Sequence, residues 1–157
     1  MRAGTENVAG IAAFGAAAAV AHSARAAEAA QMLALRQELE AGLKAISPQA
    51  VIFGAAAERL PNTTLFAAQG MKAETAVIAF DLEGVAVSSG AACSSGKVQP
   101  SHVLAAMGVS PALICGAVRI SLGRATTKAD VGRFLDAWRK LSVALSKGRP
   151  EHSGMAA

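Results

Sequence analysis

Met32, Leu35, Leu39 and Leu43 recur at spacings of three and four, the repeat that lays apolar side chains along one face of a helix. Alanine, leucine, glutamate and glutamine dominate the positions between them, and all are good helix formers. The pattern predicts one long helix over residues 7–43. Thr5, Glu6 and Asn7 offer capping groups at its start, and Gly42 with Ser47-Pro48 supplies its end. The upstream stretch from Val8 to Ala21 is apolar without a stripe and is mostly alanine and glycine. After a single arginine it has the outline of a secretory signal. Glu6 in the would-be charged region argues against that, the run is short for a membrane span, and it continues past His22 and Arg25 into the charged helix. The expectation is a soluble protein with a long first helix and no membrane contact.

Further along, Val51-Ile52-Phe53 and Thr63–Ala67 read as strands separated by the turn Arg59-Leu60-Pro61-Asn62. Lys72–Leu82 carries strand-favouring Val77, Ile78 and Phe80. Its ends nevertheless look like helix boundaries, with Lys72-Ala73-Glu74-Thr75 as a start and Asp81–Gly84 as a stop, so helix is expected. Val85-Ala86-Val87 reads as a third strand. Pro100-Ser101 opens a short helix ending at Gly108. Ala117–Leu122 alternates like a half-buried strand. Thr126-Thr127 cap a last helix to about Leu145, whose Val131, Phe134, Leu135, Trp138 and Leu141 share one face. The tail from Ser146 is expected to fray.

A chain of 157 residues is long enough for one real core. The mixture of elements argues an α+β fold, a small sheet covered by helices. Three parts are expected: the long helix with its preceding segment (1–45), a small α+β domain (46–146) and a disordered tail (147–157). The hydrophobic share is 53%, much of it alanine, with five Phe, one Trp and no Tyr. The net charge of +4 is scattered without interleaved aromatics, which argues against nucleic-acid binding. Two cysteines in unrelated contexts suggest a reducing compartment, hence a cytoplasmic protein. With three histidines they show no metal-ligand spacing.

The chemistry concentrates in Ser88–Lys97, SSGAACSSGK. Cys93 sits there among hydroxyls, methyls, glycines and one cation. Nothing bulky buries the thiol, and Gly90 and Gly96 give the backbone freedom. A thiolate is favoured near Lys97 and near the helix start at Ser101. Cys115, within Ala-Leu-Ile-Cys-Gly-Ala, reads instead as a packed structural cysteine. The same stretch fails as a phosphate loop: five residues separate the glycines where four are needed, and Val98 stands where a hydroxyl must follow the lysine.

Four segments together resemble the C-terminal part of a cysteine desulfurase, a class V aminotransferase of pyridoxal-phosphate fold type I. They are Arg2-Ala3-Gly4-Thr5-Glu6-Asn7, Arg59-Leu60-Pro61-Asn62-Thr63, Ser88–Gly96 followed by Ser101-His102-Val103-Leu104, and Arg119-Ile120-Ser121-Leu122-Gly123. The resemblance implies the small C-terminal domain of such an enzyme and a sulfur transfer from L-cysteine. Cys93 would be the nucleophile that keeps the sulfur as a persulfide while alanine leaves. Arg119 would bind the substrate carboxylate through its planar fork. Thr5 would reach the cofactor phosphate of the neighbouring subunit in a homodimer. A sulfur acceptor or iron–sulfur scaffold protein would be the next partner. Asn62 is expected to order a turn, His102 to sit on the following helix, and Arg124 to stay on the surface.

One departure limits this. The family's cofactor lysine lies in a Ser-x-His-Lys type motif, and none of the six lysines here stands beside a Ser-x-His. The resemblance covers less than half of a full member, so a missing N-terminal half is implied and the isolated chain is expected not to desulfurate cysteine. Two other readings stay open: a persulfide-carrying sulfurtransferase without pyridoxal phosphate, and a non-catalytic module pairing with a separate cofactor-bearing chain. A relative specialised for selenocysteine is a further variant of the first reading.

Overall fold

A computed structural model describes residues 4–90 and 100–147. The long apolar-striped segment forms α1, Val8–Ile46, 39 residues, as the spacing predicts. Asn7 caps it, its side chain accepting from the Gly10 N–H at 3.0 Å. Thr5 therefore is not the cap. By length and composition α1 is apolar enough to cross a membrane. Among the described residues only its second half meets the rest of the fold: Leu35, Leu39 and Leu43 are buried, while residues 4–22 are exposed throughout.

After α1 come β1 (Val51–Ile52), β2 (Thr63–Ala67) and α2 (Ala73–Leu82). Then follow β3 (Ser88–Ser89), α3 (His102–Ala106), α4 (Pro111–Cys115), β4 (Val118–Ser121) and α5 (Lys128–Lys147). The four strands form one antiparallel sheet in the order β1-β2-β4-β3. Helices α1, α2 and α5 cover one of its faces. The fold is α+β with a small sheet under helices, as expected.

The core is assembled around aromatics. Phe66 of β2 meets Trp138 edge-on at 5.1 Å and Phe134 at 6.2 Å, and Phe80 of α2 stacks on Phe134 at 5.1 Å. Such pairs add stabilisation beyond the area they bury. The stripe predicted for the last helix is real: Val131, Phe134 and Trp138 are buried and Leu135 and Leu141 partly so. Thr127 and Asp130 close its N-terminus reciprocally. The carboxylate accepts from the Thr127 N–H and hydroxyl, and the Thr127 hydroxyl accepts from the Asp130 N–H, a capping box. Those bonds from Thr127 hold the Asp130 carboxyl below its usual range. Gly42 lets α1 and α5 touch, since a Cβ there would lie 2.5 Å from a Leu135 methyl.

Three expectations are corrected. Val85–Val87 is not a strand; the pairing begins at Ser88. Gly84, at φ +72°, ends α2 with its N–H on the Asp81 carbonyl, and the Val85 N–H reaches back to Phe80. This Schellman closure consumes Val85 as the hydrophobic residue that follows it. Cys115 is exposed, not packed. It ends α4, a single turn the sequence pattern did not suggest, and that turn buries Ile114 instead. The last helix also runs through Lys147 rather than fraying at Ser146.

Candidate functional site

β4 alternates burial: Val118 and Ile120 face the core, Arg119 and Ser121 face solvent. Period-two geometry makes this outcome inevitable once one face is covered. Arg119 stands in the middle of the sheet, opposite Leu65 of β2 on one side and Ser88 of β3 on the other. Directly opposed residues share a face, so Ser88, Arg119 and Leu65 form a row across the open side. Among the described residues the Arg119 guanidinium has no hydrogen-bond or ion-pair partner. An arginine on an open face, with no partner among the described residues, can present its fork of donors to a carboxylate.

The strand beside it leads to the cysteine segment. Gly90 extends the β3–β4 ladder by one bond, its N–H donating to the Ala117 carbonyl at 2.6 Å. A Cβ on Gly90 would lie 2.6 Å from the Ala117 methyl and 2.9 Å from its carbonyl oxygen, so only glycine fits this approach. Cys93, like residues 91–99 as a whole, lies outside the described residues. The segment re-enters at Pro100, and Ser101 caps α3 by accepting from the Leu104 N–H at 3.3 Å. His102 is solvent-facing on that helix.

Arg119 is held in place from behind. Asn62 orders the turn before β2, its carbonyl accepting from the Leu122 N–H at 2.8 Å. That bond continues the β2–β4 register past Ser121. Arg59, just upstream, makes a bidentate pair with Glu40 of α1 at 2.9 and 3.0 Å. The same carboxylate accepts from the buried Thr64 hydroxyl at 2.7 Å, and Arg36 of α1 donates to the Leu60 carbonyl. Burial pushes the Glu40 carboxyl up, but the bonds from Arg59 and Thr64 and the charges of Arg59 and Arg36 outweigh it, and the group is held below its usual range. The sequence reading did not single out Glu40. Its partners lie 19 and 24 residues away; the one available signal was a carboxylate next to Leu39 on the buried stripe.

Thr5 is not brought to this site. The helix between Val8 and Leu35, the first buried leucine, is about 40 Å long at the standard rise. Arg124 is also elsewhere, exposed and 3.7 Å from Glu28. Where β4 meets α5, a cavity of about 190 Å³ is lined by Leu39, Ile120, Ser121, Asp130, Arg133 and Phe134; Arg119, on the other face of the strand, is not part of it.

Comparison with known proteins decides the family. The aminotransferase class-V family matches residues 1–134. The chain belongs to it. Cysteine desulfurases are among its relatives. That of Gluconacetobacter diazotrophicus is 41% identical over 156 residues, covering 99% of this chain and 39% of the relative. Cysteine desulfurase NifS of Azotobacter vinelandii is 39% identical over 153 residues, covering 98% and 38%. In structure, the chain is similar to a NifS-like protein from Rickettsia africae with a TM-score of 0.78 and 35% identity, over 90% of this chain and 36% of the other. This class V chain thus spans about two fifths of the length of the curated relatives it matches.

Enzymes of the family generally bind pyridoxal phosphate. The described residues of this class V chain do not fit that group. Lys44 donates to the Pro48 and Ala50 carbonyls. Lys128 and Lys140 pair with Glu38 and Glu83. Lys72 lines a shallow recess of about 150 Å³ with Met71, Leu141 and Leu145, where no aromatic ring is present to stack on a cofactor. None of these lysines lines the cavity between β4 and α5.

Proposed function

We propose that this chain supplies the sulfur-accepting and carboxylate-binding portion of a cysteine desulfurase. The observation that carries the reading is Arg119 on the open sheet face, without an ion-pair partner among the described residues and one strand from the segment that bears Cys93. The covalent chain supports it. Cys93 is three residues beyond Gly90, and three residues extend at most about 11 Å. Ser88, two residues before Gly90, is the cross-strand neighbour of Arg119. This short tether supports the reading that a small amino acid held by its carboxylate at Arg119 meets the Cys93 thiol.

The reaction assigned to the pair balances without an external oxidant. L-cysteine and the Cys93 thiol give L-alanine and the Cys93 persulfide. The carbon–sulfur bond of the substrate breaks, a sulfur–sulfur bond forms, and alanine takes the proton. Arg119 orients the substrate and Cys93 attacks as thiolate. Pyridoxal phosphate acts as electron sink in such chemistry, and in this reading it is held by protein outside the described residues. Thr5, remote from Arg119 along α1, is assigned to a cofactor-phosphate site of a neighbouring subunit in a dimer. The persulfide sulfur then passes to an acceptor protein such as an iron–sulfur scaffold.

Intact-mass measurement tests the assignment. The pure chain treated with a small-molecule persulfide donor is expected to gain one sulfur atom, and Cys93→Ser is expected to lose that gain. With L-cysteine and pyridoxal phosphate the pure chain is expected to release no alanine. An adduct that persists in Cys93→Ser, or that sits on the exposed Cys115, would overturn the role of Cys93.

A further inference from the structure

We draw no further inference here: the strongest candidate, the cavity of about 190 Å³ where β4 meets α5, carries nothing, because nothing among the described residues shows what fills it.

Discussion

The two halves of α1 are one continuous helix held by different forces. From Leu35 onward, leucines bury against the sheet and α5, Gly42 admits Leu135, and Glu40 is tied to Arg59 and Thr64. From Val8 to Ala21 no residue is covered. That half relies on alanine's propensity, one cap and continuity with the anchored half. Isolated alanine-rich helices of this length are marginal in water. The contrast teaches that helix formation and helix packing are separable along a single element: the first half has the conformation of a core helix without the core.

The sharpest break in this contrast comes from paired truncations. Leu39→Ala is expected to cost about 3 kcal/mol, read by urea unfolding of the small domain. Phe14→Ala is expected to change that stability by less than about 0.5 kcal/mol, although it deletes the larger side chain. Equal losses would mean the halves are not independent. Next in size, Glu40→Ala should cost about 2 kcal/mol, since it strips partners from the Arg59 and Arg36 guanidiniums.

The same carboxylate gives a pH signature. Glu40 is held below its usual range in the folded protein, so the folded state binds its proton less readily than the unfolded chain does. Its contribution is complete above the ordinary glutamate range and is lost as pH falls through the depressed folded value. The stability difference between the parent and Glu40→Gln should therefore shrink steadily on acidification below about pH 4.5, measured by urea unfolding across pH. A difference that grows toward acid would contradict the assignment. The smallest effect is local. Asn7→Ala removes the cap and about 1 kcal/mol from the first turns. Amide exchange there should quicken while the melting temperature of the domain stays put.

Much of this architecture was legible because local and global signals agree. Thr63–Ala67 and the buried stripe of α5 follow from periodicity alone, and the two-residue capping exchange between Thr127 and Asp130 sits within four positions of sequence. What escaped depends on the third dimension. Val85 has strand propensity, yet the Gly84 turn fixes it at a helix end. Cys115 has apolar neighbours, but a single-turn helix rotates Ile114 inward and leaves the thiol outside. Glu40, Arg59 and Thr64 come from three distant segments that only folding unites. At the site, the exposed face of Arg119 could be read from β4's alternation, whereas its lack of an ion-pair partner among the described residues required the neighbouring strands to be in place.

The absent side chain at Gly90 has a mechanical consequence. A methyl group there would collide with Ala117, the residue just before β4, the strand that also displays Arg119. Relieving the collision must pry the two strands apart, displacing Ser88 from beside the arginine at the same moment. Gly90 thus couples the strand that leads toward Cys93 to the strand that carries Arg119, and a substitution at this position disturbs both.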